Sequence, residues 1–597
     1  MNIDLKRLRN DATLVATEHR TFESRLDLQT FLHQLALQYN KEFTVAPNNN
    51  KTRYEVRCTA AECPFKIIAR APIDSEVWCI TKAVTHAAGC VASPKTYFPP
   101  KIIAYILKED FRCERPFSPK ALEKSSSVIK NGTSAARTIR AAQNYLYGDR
   151  ESSYRLLPYY FSAICEKMPG SVAFVNFNAA GHFHRCFFSL EASSEGFEYT
   201  KPLLGLDGCH IKTQYLGVLL VATTVDAAGH TFPLAFGVVE NEHYDSWKWF
   251  IEELKKVFDL TGITVISDRQ KGLIKAVGET LQTSAHAFCV KHLADNANGK
   301  GSKKARPFIF RLAKCGSKVE YEKLLREMTL VSPAAANYIR NTAEPHHWVE
   351  YQFPGNRCGH VTSNIVECVN ACIAEARQLP IVHMLESIRS MLARWFITRR
   401  KKARNLSSTI VCRANDILEQ RLLQSRDLKA VELDQAKFEV RENGTVFTVN
   451  VDSNKCSCGA LEKEGIPCVH LLVLLSAKGS RGVELCSELH STQRFLKTYS
   501  GRILSVDDIK LHSVVKQTLE DKIESDIQTQ PPIPTPRAGR PGVVRKRRSN
   551  EPRGPNSRSE KFTDAVEPAP KQRRKYTCKV CGVEGHNARG CPNKDKE

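Results

Sequence analysis

The sequence predicts a multidomain chain of mixed α+β and α/β class: a central domain with a helical insertion, flanked by small metal-binding modules. Three observations carry this reading. Apolar strand runs follow one another over residues 203–240, then alternate with helical periodicity to about residue 292. Cys and His pairs at metal-ligand spacing stand on both sides of that core. From Gln530 onward the composition collapses to Pro, Gly, Ser, Arg and Lys, which marks a linker.

Composition narrows the function classes. Hydrophobic residues make up 42% of the 597, enough for sizeable cores, and the length suits several domains. A net charge of +23 favours a polyanionic partner. A membrane role is not expected, because no apolar run approaches bilayer-spanning length. The N-terminus, MNIDLKRLRND, carries charges where a signal peptide needs an apolar stretch. Twenty-one cysteines without such a signal imply a reducing compartment, nucleus or cytosol. Cys165, Cys186, Cys412 and Cys486 stand alone and read as buried small hydrophobes.

Residues 1–98 form the first module. Ser24–Asn40 predicts a helix with Leu28, Phe31, Leu32 and Leu35 inward, and Ser24 with Asp27 resembles a capping box. Strand-like runs follow, in FTVAP, RYEVRC, FKIIAR and VWCITKAV. Cys58 and Cys63, then His86 and Cys90, supply four soft ligands suited to tetrahedral zinc; incidental cysteines in a small sheet are the alternative. Such a sheet, with Lys51, Arg53, Arg57 and Lys66 exposed, would suit DNA contact. Residues 99–169 are basic and helical. Ser118–Lys130 and Thr133–Tyr147 could form a helix-turn-helix, or a plain helical spacer.

Residues 170–405 form the central domain. LLGLDGCHI, GVLLVATTVD and HTFPLAFGVVE are successive strands, the last two joined at Ala227-Ala228-Gly229. A helix over Asp245–Phe258, a strand ITVISD, a helix over Gly272–Gln282 and a strand SAHAFCVKH follow. That order is the layout of the ribonuclease H-like fold, in which Asp207 and Asp268 would lie side by side. Carboxylates in buried strands are costly unless neutralised, and a bound cation is the usual remedy. Glu367, in the first turn of a helix capped by Thr362-Ser363-Asn364, is the expected third carboxylate. Three carboxylates can hold two Mg²⁺ or Mn²⁺ ions, which activate a water or 3′-hydroxyl. A solvated or salt-bridged glutamate is the ordinary alternative for Glu367.

The insertion is expected at about 294–350. Cys289 and His292 form a C-x-x-H pair at the end of the fifth strand, either half a zinc site or a packing feature, and Cys358 with His360 could complete it. Ile381–Arg404 predicts a long helix with Leu385, Ile388, Leu392 and Phe396 inward. Arg399, Arg400, Lys401 and Lys402 crowd its end as a solvated face or as phosphate contacts.

Residues 406–500 carry a sharper signal. A hairpin turned at Asn443-Gly444 leads into Cys456-x-Cys458, nine residues, then Cys468-x-His470 and an apolar helix, a spacing that fits structural zinc. In the linker, 501–575, the stretch Arg537–Lys575 holds thirteen Lys/Arg against four Asp/Glu. Arg537 and Arg540 resemble a minor-groove AT-hook core, while Arg545–Arg548 and Arg573–Lys575 would serve nuclear import; a solubilising tail is the alternative. Residues 576–597 close with Cys578, Cys581, His586 and Cys591, the spacing of a zinc knuckle, which could contact single-stranded nucleic acid or protein. Two to three structural zinc sites are thus expected.

Taken together, these residues resemble a Mutator-like (MULE) transposase over nearly the whole chain. The first zinc module resembles the WRKY–GCM type; LLGLDGCHIK, SDRQKGL, CVKH and GHVTSNIVECVN resemble the first-Asp, second-Asp, C-x-x-H and Glu motifs; Cys456–His470 resembles a SWIM zinc finger. The resemblance implies a DDE triad of Asp207, Asp268 and Glu367 in a nuclear, homo-oligomeric enzyme that binds terminal inverted repeats and cuts and joins double-stranded DNA. The far-red-response transcription factors of plants share this layout, so a domesticated DNA-binding regulator without catalysis is the alternative. An RNA-binding scaffold using the knuckle is a third.

Overall fold

The computed structural model describes residues 14–506 and 530–532, apart from 74, 94–98, most of 107–149, 214, 299–302 and 443. The expected helix-turn-helix falls largely outside the described residues. Arg537, Arg540, the import signals and the knuckle residues Cys578, Cys581, His586 and Cys591 lie wholly outside them.

The N-terminal module is an antiparallel sheet of β1 (Thr21–Phe22), β2 (Phe43–Val45), β3 (Arg53–Cys58), β4 (Lys66–Arg70) and β5 (Trp78–Val84), in the order β1-β5-β4-β3-β2. Helix α1 (Arg25–Gln38) packs Leu28, Phe31, Leu32 and Leu35 onto Val56, Ile67, Trp78 and Ile80. Ser24 caps it, its hydroxyl accepting from the Asp27 N–H. The basic strand residues are not simply free. Arg53, Arg57 and Lys66 all ion-pair with Glu55, whose side chain is 1% exposed.

Helices α2 (Pro100–Ile106), α3 (Arg150–Arg155) and α4 (Leu157–Lys167) precede a seven-stranded sheet of order β12-β11-β8-β9-β10-β7-β6. Its hairpin of β6 (Val172–Phe177) and β7 (Phe183–Ser189) was not anticipated. Every residue of the edge strand β6 is half-buried, so VAFVNF lacks the in–out alternation that marks a strand. After α5 (Glu191–Phe197), strands β8 (Leu203–His210), β9 (Val218–Val225) and β10 (Thr231–Val239) form an antiparallel meander. Helix α6 (Tyr244–Val257), β11 (Thr264–Ser267), α7 (Lys271–Thr280) and β12 (His286–Phe288) follow, with β11 parallel to both β8 and β12. Three antiparallel strands and then parallel ones is the expected ribonuclease H-like order.

β12 is shorter than expected, because α8 (Val290–Asn298) begins at once. It opens a helical layer with α9 (Arg306–Ala313), α10 (Lys318–Val331) and α11 (Pro333–Thr342), which has its own core around Trp348. Buried Arg357 staples this layer through the carbonyls of Trp348 and Ala313 and the Glu350 carboxylate. Helix α12 (Asn364–Cys372) and the first half of the long α13 (Ile381–Arg404) cover one sheet face; α6 and α7 cover the other, where Phe396 and Ala403 of α13 also pack.

The remainder is α14 (Cys412–Ser425), a sheet of β13 (Ala430–Glu432), β14 (Lys437–Glu442), β15 (Thr445–Asn450) and β16 (Lys455–Cys456), then α15 (Ala460–Glu464), α16 (Val469–Ala477) and α17 (Thr492–Thr498). It docks on the central sheet: Tyr499 donates to buried Asp226 at 2.8 Å and accepts from Arg399 at 2.7 Å. Of the lone cysteines Cys186 is buried as expected, but Cys412 is exposed at the start of α14. No helix among the described residues is long and apolar enough to cross a membrane.

Candidate active site and metal centres

Parallel pairing sets the first two carboxylates. Leu206 of β8 is in register with Ser267 of β11, so the next residue of each chain, Asp207 and Asp268, emerges at neighbouring positions. Alternation sends Gly205, Asp207 and Cys209 toward α12, and Leu204, Leu206 and Gly208 toward α6. Gly205 is required for the close approach: a Cβ there would stand 2.5 Å from Val366 of α12. That flush packing brings Glu367 over the strand ends, and Asn370, one turn later, donates to Asp207 Oδ2 at 2.8 Å.

The helix start differs from expectation. Ser363 makes no side-chain cap; its hydroxyl lies 3.3 Å from Glu367 Oε1, and its N–H meets Cys289 Sγ at 3.2 Å. Cys289 therefore sits at the junction of β12 and α8, and His292 in the first turn of α8, rather than at a strand end. Cys289, His292 and Glu367 converge with one potential ligand atom each within 4.8 Å of the others. Cys358 and His360 do not complete this group. They lie beside Lys201, with Glu350 also near Cys358 and Arg413 near His360. Lys291 ion-pairs with Glu367, and His292 Nε2 stands 3.7 Å from the same carboxylate.

The electrostatics are those of a crowded acidic site. Burial, and then the neighbouring Asp268, push Asp207 up to about 6. Burial, then Asp268 and Asp207, push Glu242 up to about 7. A hydrogen bond to Cys289 holds His292 up at about 9. For Cys289, burial raises the thiol, but hydrogen bonds from His292 and Ser363 outweigh it and draw it below the ordinary range. The carboxylates and the Asn370 amide are hard oxygen donors, and buried Asn370 Oδ1 has no hydrogen-bond partner among the described residues. This donor set fits Mg²⁺ or Mn²⁺.

Sequence reasoning missed Glu242, Asn370 and Lys291. The signals were present: Glu242 follows an apolar strand as Asp268 does, and Asn370 stands three residues beyond Glu367 on one helix.

Two Cys/His clusters are consistent with structural zinc, and each gathers its four ligand atoms within 4.8 Å. In the first, His86 Nδ1 lies 3.4 Å from Cys63 Sγ and 3.6 Å from Cys90 Sγ, while its ring stacks on Phe65. Cys58 Sγ is 3.6 Å from Cys90 Sγ, which brings Cys90 into the same cluster. In the second, Cys456 ends the β-sheet, Cys468 caps α16, and His470 turns Nδ1 toward Cys456 at 3.5 Å. Its Nε2 meets Glu442 Oε2 at 3.1 Å, a carboxylate that fixes tautomer and ring orientation.

The end of α13 departs from expectation. Arg399 donates to Thr231 O and Tyr499 OH, and Arg400 to the carbonyls of Tyr499, Ser500 and Gly501. Both guanidiniums thus hold the segment 499–501, and Lys401 and Lys402 remain exposed.

The comparisons with known proteins fall on these same regions. A MULE transposase domain matches residues 203–296, which include Asp207, Glu242 and Asp268, and a SWIM zinc finger matches residues 447–479. Protein FAR1-RELATED SEQUENCE 6 of Arabidopsis thaliana is 21% identical over 252 residues. That match covers 41% of this chain and 35% of the relative, about a third of its length. The chain carries a MULE transposase domain and a SWIM zinc finger, and is a distant relative of a FAR1-related protein.

Proposed function

We propose that this chain is a DDE-type DNA transposase, with Asp207, Asp268 and Glu367 as its triad. The single observation that supports it most is the β8–β11 register, which sets Asp207 beside Asp268 beneath the helix carrying Glu367. The three carboxylates would hold Mg²⁺ or Mn²⁺, with Asn370 orienting Asp207. The divalent cations of such a site supply the Lewis acidity and charge neutralisation of in-line phosphoryl displacement.

In the cutting step a water oxygen bonds to phosphorus as the P–O3′ bond breaks, leaving a 3′-hydroxyl. In joining, that hydroxyl attacks a target phosphodiester, and the displaced 3′-oxygen takes up a proton. His292, held protonated beside Glu367, would donate a hydrogen bond to a phosphate oxygen or the leaving oxygen. The N-terminal zinc module would bind terminal inverted repeats, with Lys401 and Lys402 on the backbone. The knuckle would add a single-stranded nucleic-acid or protein contact, and a nuclear homo-oligomer would pair two ends.

The test is Mg²⁺-dependent nicking of duplex DNA: Asp207→Ala should abolish it, and unchanged nicking sinks the triad. One observation favours the second reading, a DNA-binding regulator without catalysis. The Lys291 ammonium already neutralises Glu367, so a chain that no longer takes a cation there would keep its fold. Sequence-specific duplex binding with no nicking at any Mg²⁺ or Mn²⁺ concentration would support that reading.

A further inference from the structure

Two of the three proposed triad carboxylates reach the strand ends from one side. Asp207 and Glu367 lie on the α12 face of the sheet, where Gly205 meets Val366 and Ile365. A second ion, where two are held, would need a ligand beyond the shared aspartates.

Glu242 stands on the opposite face of the strand ends. β10 runs parallel to β8, since each is antiparallel to β9 between them, so the loop after β10 opens at the same end of the sheet as Asp207 and Asp268. Gly208, whose Cβ direction is toward the α6 face, is covered by the Glu242 carboxylate: an added Cβ would meet Cδ at 2.9 Å, Oε2 at 3.0 Å and Oε1 at 3.2 Å. The loop is fastened to the second aspartate, because Gln270 donates its amide to Glu242 O at 2.6 Å while its backbone N–H donates to Asp268 Oδ1 at 3.0 Å. The fully buried Trp247 indole N–H lies near this carboxyl and makes no hydrogen bond among the described residues. Neighbouring Glu240 points elsewhere and pairs with Arg185.

We infer that Glu242 is a fourth carboxylate of the cation site, reaching the Asp207–Asp268 pair from the face opposite Glu367 and supplying a ligand for the second divalent ion. This rests on the proposed reading of the site. It also assigns Gly208 a reason: any side chain there would displace the Glu242 carboxylate from the pair.

The test is Mn²⁺ binding to the full-length, zinc-loaded protein, followed by electron paramagnetic resonance and calorimetry, with strand cleavage in parallel. Glu242→Gln should weaken one of two binding events by more than the roughly tenfold lost on removing even an outer-shell partner. Glu240→Gln, in the same loop, should bind as wild type. Glu242→Asp, which keeps the charge on a shorter arm, should recover part of the affinity and serves as the second variant if Glu242→Gln misfolds. Two unchanged binding events in Glu242→Gln, alongside loss in Asp207→Asn, would overturn the inference and leave the triad standing. Equal losses in Glu240→Gln and Glu242→Gln would reduce it to bulk charge and overturn it as well. A wild-type protein with no saturable Mn²⁺ binding would overturn both the inference and the reading beneath it.

Discussion

Asn370 holds Asp207: its side-chain N–H donates to Oδ2 at 2.8 Å, fastening the helix that carries Glu367 to the strand that carries the first aspartate. Removing that clasp should loosen Asp207 without unfolding the core around Val366 and Val369. Asn370→Ala is expected to lower Mn²⁺ affinity by roughly 10–100-fold, as removal of an orienting partner does. Calorimetry checks this. Unchanged affinity with a lowered melting temperature would mean the bond only braces the helix.

Glu442 should act on the second zinc cluster in the same way. Because it meets His470 Nε2, Glu442→Ala is expected to weaken zinc binding by roughly 10–100-fold. Competition against a chromophoric chelator measures the shift. Cys468→Ala goes further, removing both a ligand and the cap of α16, and should unfold the 430–477 region locally, seen as lost amide protection.

Cys90 tests the first cluster. Its sulfur stands 3.6 Å from both Cys58 Sγ and His86 Nδ1, so Cys90→Ser should release one equivalent of zinc from the full chain. Retained zinc would require a different fourth ligand.

Glu55 gives a pH prediction. Burial raises its carboxyl, but hydrogen bonds from Arg53, Arg57 and Lys66 outweigh burial and hold it down at about 2. Its folded value is therefore below its unfolded one, near 4.3. The stabilisation is fully present above the unfolded value and is lost as pH falls toward 2. Urea unfolding followed by the buried Trp78 should show a steeper loss between pH 6 and pH 3 in wild type than in Glu55→Gln. Equal losses would mean that Glu55 does not carry this pH dependence.

Much of this molecule was legible in its sequence, for identifiable reasons. The strands around Asp207 and Asp268 are apolar runs with clear turns, and Glu367 follows residues that favour a helix start. Chelating pairs such as Cys456/Cys458 and Cys468/His470 declare themselves by spacing alone. What was missed depends on through-space packing. Glu242 becomes part of the site only because β10 returns parallel to β8. Arg399 and Arg400 read as a basic face, yet Arg399 turns to the Thr231 carbonyl and the Tyr499 hydroxyl, and Arg400 to the carbonyls of Tyr499 and Gly501. The ligand count that joined Cys358 and His360 to Cys289 and His292 failed because spacing carries no information about distant loops.

Asp207, Asp268 and Glu367 are proposed to act as one cation-dependent site on DNA. The most direct measurement is joining of a 3′-hydroxyl-ended duplex oligonucleotide to plasmid DNA in Mg²⁺ or Mn²⁺. Joining by the wild-type protein is expected, with a loss of at least about a hundredfold in each of Asp207→Asn, Asp268→Asn and Glu367→Gln, the scale on which removal of a single transition-state-stabilising group is felt. Joining that survives in any of the three, or a wild-type protein that binds the same duplex and never joins it, would contradict the proposal.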